Sequence, residues 1–67
     1  MKIEDYQEPE DGDISFVVDS EKYQRVLEHL RTKGLTVGGH HSDTSFSEIV
    51  VSATIDELND ALKDFEE

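Results

Sequence analysis

Residues 14–34 read ISFVVDSEKYQRVLEHLRTKG, and the period of their apolar side chains changes in a way that decides the fold. The first five residues are apolar at every second position, which predicts a strand. From residue 23 the apolar positions recur at i, i+3, i+4 and i+7, which predicts an amphipathic helix over about residues 20–33. Asp19 and Ser20 are candidate N-caps, and Gly34 suits the left-handed position that follows a helix.

The sequence beyond this helix predicts two more strands and a second helix. A second strand begins at Leu35 and weakens at a pair of glycines, so Gly38–Ser45 is expected to connect a hairpin. The alternation of apolar side chains over Phe46–Ala53 predicts a third strand. Thr54 and Glu57 have the spacing of a capping box, and the apolar stripe after them predicts a helix that runs almost to the end of the chain.

This order of elements, β-α-β-β-α, predicts a two-layer α+β fold. A right-handed crossover from the first strand over the first helix leaves a gap that the third strand fills. The result is a mainly antiparallel three-stranded sheet in the order 1-3-2, with both helices on one face. This is the split β-α-β arrangement of ferredoxin-like folds without the last strand. Residues 14–67 are expected to form one domain, and residues 1–13 an acidic, flexible lead-in.

The charge of the chain limits the classes of partner. Seventeen acidic residues stand against six lysines and arginines, which gives a net charge of −11. Phosphate groups repel such a chain, so direct binding to nucleic acid or to an anionic membrane is not expected. The apolar runs are far shorter than the roughly 20 residues of a membrane helix, and the acidic N-terminus does not resemble a secretory signal. A cytoplasmic protein without disulfides, which binds basic partners, is therefore expected.

A row of carboxylates follows the second predicted helix. Asp56, Asp60 and Asp64 are spaced by four residues, and Glu67 continues the row. On a helix these groups stand about 6 Å apart, which is comparable to the spacing of phosphates along a nucleic-acid strand. One interpretation is a surface that imitates nucleic acid and occupies the basic site of a partner. The other is an ordinary solvated face of an acidic protein.

The segment after the paired glycines contains the residues that would be considered for metal binding or catalysis. His41 and Asp43 are the better pair of metal ligands, because His40 and His41 point to opposite faces in a strand. Two ligands make a weak site, and turn chemistry explains the same residues. A Ser-His-Asp triad requires side chains that converge from separate elements. Neither a metal, a cofactor nor an enzymatic activity is therefore predicted.

The sheet face away from the helices is a second candidate surface. Val17, Phe46 and Val50 are expected to point outward on this face, surrounded by polar side chains. An exposed apolar cluster with a polar rim is typical of a protein or dimer contact. Two alternatives remain open: residues 1–6 cover this face with Ile3 and Tyr6, or a bulge turns the phenylalanine inward.

Together these patterns favour a small non-enzymatic module that binds another protein. The acidic row and the acidic lead-in would contact a basic, nucleic-acid-binding surface, so that the module acts as an inhibitor or regulator. The acids of this lead-in are Glu8, Glu10, Asp11 and Asp13. The alternative is a self-associating structural or assembly protein that forms a homodimer through the outer sheet face or the edge strands. In that case the acidic surface serves solubility alone.

Overall fold

The computed structural model describes residues 1–65 and has the predicted α+β architecture. Its three strands form one antiparallel sheet in which the third strand lies between the first and the second, which confirms the predicted topology. The two helices pack on one face of this sheet. The elements in chain order are β1 (Asp13–Asp19), α1 (Tyr23–Thr32), β2 (Thr36–Ser42), β3 (Phe46–Ser52) and α2 (Ile55–Leu62).

The core lies between the sheet and the helices, where the predicted apolar positions meet. Ile14, Phe16 and Val18 point from β1 toward the helices, and Ile49 and Val51 do so from β3. The helices contribute buried stripes of four residues from α1 and three from α2. These helical core residues are Tyr23, Val26, Leu27, Leu30, Leu58, Ala61 and Leu62.

The two ends of α1 differ in how well the sequence predicted them. The predicted N-cap is wrong, because the Ser20 hydroxyl donates to the Asp43 carbonyl at 2.6 Å instead of capping α1. Lys22 stands at the N-cap position without a side-chain cap bond. The predicted end is confirmed: Gly34 has φ of +85°, and the next amide donates to the Leu30 carbonyl at 3.0 Å. This pattern is a Schellman motif.

The hairpin between β2 and β3 is tighter than the sequence predicted. Strand β2 continues through the glycines to Ser42, so the connection is Asp43–Ser45 and not the expected Gly38–Ser45. A register shift between Val37 and Gly39 leaves Gly38 as the extra residue of a β-bulge. A bulge absorbs a residue of poor strand propensity without ending the ladder, which is why the glycines do not terminate the strand.

Helix α2 begins as predicted and ends earlier. The Thr54 hydroxyl accepts from the Glu57 amide at 3.1 Å, and the Glu57 carboxylate accepts from the Thr54 amide at 3.2 Å, so the capping box is present. The helix ends at Leu62, although the sequence predicted a helix that runs almost to the end of the chain. No basic side chain lies in its last turn, and the Met1 ammonium group donates to the Leu62 carbonyl at 3.0 Å. A positive group at this position complements the helix dipole.

Part of the predicted lead-in packs against the domain. Ile3 is buried in the core, and Asn59 on α2 binds both of its backbone groups, with distances of 2.7 Å to the Ile3 amide and 3.3 Å to its carbonyl. Further along, Gln7 and Ser15 exchange two backbone hydrogen bonds of 2.8 and 2.7 Å. Residues 1–7 therefore run from α2 to the open edge of β1. The flexibility of residues 1–13 stays a prediction.

Candidate protein-interaction surface

The face of the sheet away from the helices, here called the outer face, is the candidate site. Side chains alternate along each strand, and those that do not enter the core point to this face. In β1 and β3 the register brings the outward positions into adjacent rows, with Val17 opposite Glu48 and Asp19 opposite Phe46. The outward residues of these two strands are Asp13, Ser15, Val17, Asp19, Phe46, Glu48, Val50 and Ser52.

An apolar cluster is exposed at the centre of the outer face. Val17 is 58% exposed and Phe46 is 59% exposed, whereas Val50 is half-buried. Because Val17 pairs with Glu48, both Phe46 and Val50 are its diagonal neighbours, about 7–8 Å away between backbone positions. Phe46 does not turn inward, and Ile3 lies in the core rather than over this face. The three predicted residues therefore form one solvent-accessible cluster.

The charged groups that the three strands contribute to this face are all acidic. The three strands contain Asp13, Asp19 and Glu48, and neither lysine nor arginine. All three carboxylates occupy outward positions. The Glu48 carboxylate accepts from the Ser15 hydroxyl at 3.0 Å, and Asp13 accepts from the Ser52 hydroxyl at 3.0 Å. Both carboxylates are thus held at the surface by neighbouring strand residues and keep further lone pairs for an incoming donor.

A groove of about 530 Å³ extends the outer face toward the lead-in. It lies between the first residues of the chain and the β1–β3 pair, with Val17 and Glu48 on its sheet side. Glu4, Asp5 and Tyr6 line the opposite side. Tyr6 is 38% exposed, so an aromatic ring and several carboxylates are accessible together. Carboxylates bind lysine and arginine directly, and an aromatic face attracts the same cations.

The acidic row predicted on the second helix is largely paired within the molecule. Asp56 is exposed in the first turn of α2, where a negative charge complements the helix dipole. Asp60 is exposed and lies 3.1 Å from the Lys63 ammonium group. Asp64 follows the end of α2, so the regular spacing of the row does not continue beyond the helix. Glu67 lies outside the described residues.

Asp64 links the two helices. Its carboxylate accepts from the Lys33 ammonium group at 2.8 Å and from His29 Nε2 at 3.0 Å. The Lys33 hydrogen bond, followed by that from His29, lowers the pKa of Asp64 from 3.8 to about 2. His29 Nε2 also lies 2.9 Å from the Ala61 carbonyl. Because both oxygens accept, this nitrogen carries a proton and donates to them. Asp64 therefore connects α1 to α2.

The two histidines of β2 point to opposite faces of the sheet. His40 points toward the helices and is hydrogen-bonded through Nδ1 to the Tyr23 hydroxyl, with the two rings 5.6 Å apart. His41 pairs with Glu48 in the register and points to the outer face. Within residues 1–65, no group of three His, Cys, Asp or Glu side chains is placed to hold a metal ion.

Two residues with structural importance were not singled out by the sequence. Asn59 holds the lead-in through two hydrogen bonds, and Ser47 is almost fully buried between the hydroxyls of Ser20 and Ser42 at 2.9 and 3.1 Å. A signal for Asn59 existed, because asparagine is a poor residue for the interior of a helix and suggests a specific contact there. The position of Ser47 in the apolar alternation of β3 was a similar signal.

Comparisons with known proteins find no relative of this chain. No protein-family model, no curated protein and no solved structure matches it. No helix within residues 1–65 has the length and apolar character needed to cross a membrane. Function is therefore inferred from the residues themselves.

Proposed function

We propose that this protein is a small, non-enzymatic interaction module that binds a basic surface of another protein. The outer face carries the contact, with Val17 and Phe46 at its centre. The observation that supports this function is the combination of an exposed apolar cluster with strands whose charged side chains are all carboxylates. An interface needs apolar contacts in its centre and complementary polar groups around it.

The charge distribution favours a basic partner. The strands carry three acids and no lysine or arginine, and the adjoining residues 4–11 add five more acids. Four of the six lysines and arginines fall in residues 20–34, which include α1 on the opposite layer. A positive partner surface is therefore steered toward the outer face. A nucleic-acid-binding surface has this charge, and its occlusion would make the module an inhibitor or regulator.

The outer face supports this proposal better than the acidic row of α2. Asp60 and Asp64 already contact cationic side chains of the same molecule. A partner that binds them must compete with these contacts, whereas Asp13 and Glu48 on the outer face accept from neutral serine hydroxyls. Asp56, Asp60 and Asp64 are therefore assigned a secondary role, as negative charge that increases the rate of encounter.

A homodimer through the outer face is the alternative, and the same charges disfavour it. A symmetric contact through this surface would place the Asp13, Asp19 and Glu48 carboxylates of two copies near one another. Like charges across an interface are repulsive. In the alternative, Phe46→Ser dissociates the dimer, whereas the basic-partner proposal expects this variant to lose its partner and keep its own association state.

The test is an affinity purification from source-cell extract with three forms of the tagged protein. The forms are the wild type, the pair Val17→Ser/Phe46→Ser, and the triple variant in which Asp56, Asp60 and Asp64 become asparagine. We expect a basic protein to bind the wild type and the triple variant at low salt, to be released by high salt, and to be lost from the serine pair. The serine pair should fold, because its side chains are exposed. Loss from the triple variant alone, with its folded state verified by circular dichroism, would instead assign the contact to α2, and capture of no basic protein would contradict the proposal.

A further inference from the structure

The outer edge of β2 is an open edge of the sheet. Strand β3 is central and has both neighbours, and the edge of β1 is occupied where Gln7 and Ser15 exchange backbone hydrogen bonds. Within residues 1–65, no strand pairs with the outer edge of β2. An unpaired edge is a template for a further strand, unless charged side chains, proline or a covering loop protect it.

The backbone groups that point out of this edge can be identified from the hairpin. The Asp43 amide donates to the Phe46 carbonyl at 3.1 Å, and hydrogen-bonded pairs alternate along an antiparallel ladder. His41 is therefore in a hydrogen-bonded pair with Glu48. It follows that the backbone groups of His40 and Ser42 point away from β3, toward the open edge.

The lack of aspartate, glutamate, lysine and arginine in β2 favours a second copy of the chain as the partner of its open edge. Among the five described strands and helices, β2 (TVGGHHS) is the only one without aspartate, glutamate, lysine or arginine. Two copies with a net charge of −11 each repel most strongly where acidic faces meet, and least where an uncharged strand meets itself. The groove between α1 and β2 contains both Glu28 and Arg31, so a two-fold contact can pair unlike charges beside the strands.

We infer that two copies associate by antiparallel pairing of their β2 edges, which forms a continuous six-stranded sheet. A two-fold axis perpendicular to this sheet keeps both helical layers on one side and both outer faces on the other. The dimer itself does not depend on the proposed function. Bivalent binding would follow if the proposed function is also correct. Two outer faces on one side of the dimer can then contact an extended or repeated basic partner together.

Sedimentation equilibrium tests the dimer with a matched pair of variants. At about 100 μM, a concentration at which a micromolar dimer is formed, we expect the wild type and His40→Ala to be dimeric and His40→Pro to be monomeric. Proline removes an amide that points to the open edge, so the β2–β3 ladder is retained. The alanine variant controls for the lost contact with Tyr23. A monomeric wild type, or a dimeric and folded His40→Pro, would overturn the inference.

Amide hydrogen exchange of the wild type gives a second test that needs no variant. The His40 and Ser42 amides should exchange slowly in concentrated solution and become unprotected on dilution, because only the dimer pairs them. The His41 amide should stay protected at both concentrations, since it belongs to the β2–β3 ladder. Equal exchange of the His40 and Ser42 amides at all concentrations would overturn the inference. This outcome is independent of the test of partner binding, because neither amide belongs to the outer face.

Discussion

The Asp64 carboxylate holds the two helices of the domain together. In the sequence it belongs to a row of acids that resembles a binding surface. In the structure its carboxylate accepts from Lys33 and His29 and so joins the two helices. Nothing in the local sequence predicts this, because Lys33 is 31 positions away and the contact forms only when α1 and α2 pack together.

The lowered pKa of Asp64 predicts a pH dependence of stability. The group has a pKa of about 2 in the folded chain against 3.8 in its ordinary state, so the folded state binds its proton less readily. Its contribution to the free energy of unfolding is therefore complete above the ordinary pKa and is lost as the pH falls from about 4 to about 2. Urea unfolding at several pH values should show that Asp64→Asn is less stable than the wild type near neutral pH and that the difference disappears as the pH falls below 2.

Lys33→Met provides the matched control for this prediction. The Lys33 hydrogen bond is the largest cause of the lowered pKa, so this variant should reproduce most of the pH-dependent difference while Asp64 is retained. A constant difference between Asp64→Asn and the wild type over the whole acidic range would show that the carboxylate contributes through something other than its charge.

The helices and strands were predicted correctly because the patterns that indicate them lie within a few neighbouring residues. The capping box of Thr54 and Glu57 and the left-handed Gly34 depend on residues within one turn, and both are present as predicted. Ser20 had an equally good local signal, yet its hydroxyl contacts Asp43 and Ser47 from the hairpin. Local patterns therefore fixed the elements and their order, whereas contacts between elements decided the details of their ends.

The hydrogen bonds between Asn59 on α2 and the lead-in are expected to stabilise the folded domain. Asn59→Ala removes two hydrogen bonds to the Ile3 backbone, each worth about 0.5–1.5 kcal/mol, and gains a few tenths of a kcal/mol in helix propensity. We expect the free energy of unfolding to fall by about 1 kcal/mol in urea denaturation. The Ile3 amide should also exchange with solvent faster than in the wild type.

A neighbouring residue on the same helix serves as the control. Asp60 is exposed and its contact with Lys63 is a surface ion pair, which contributes little to stability. Asp60→Ala should therefore leave both the free energy of unfolding and the exchange of the Ile3 amide almost unchanged. An Asn59→Ala variant that behaves like Asp60→Ala would show that the lead-in is held by the burial of Ile3 alone.

For the whole molecule, the sequence predicted which apolar residues reach the outer face and that polar side chains surround them, but not the direction of His40 or the groove beside the cluster. The alternation of β1 and β3 placed Val17 and Phe46 outward, because a strand has a strict two-residue period. The direction of His40 toward the helices depended on the exact length of β2 and its bulge, which the sequence did not define. The groove beside Tyr6 was not predicted, because it depends on where the lead-in crosses the edge of β1.

The two proposed interactions differ in their response to salt, and this gives a prediction for the whole molecule. Added salt screens charges, so it should weaken binding of a basic partner and strengthen association of two copies that each carry −11. Sedimentation of the protein alone should therefore show more dimer at high salt, while affinity purification should recover less partner. A dimer that dissociates with added salt would mean that ion pairs, and not backbone pairing of β2, hold the copies together.

Nuclear magnetic resonance of the isotope-labelled protein in unlabelled source-cell extract tests residue by residue whether the outer face binds a partner. The outer face is predicted to be the contact, so the amide signals of Val17, Phe46 and Glu48 should broaden or shift at low salt and recover at high salt. The signals of Asp56 and Asp60 on α2 should change much less. Broadening centred on α2, or a spectrum that the extract leaves unchanged, would contradict the proposal that the outer face binds a basic partner.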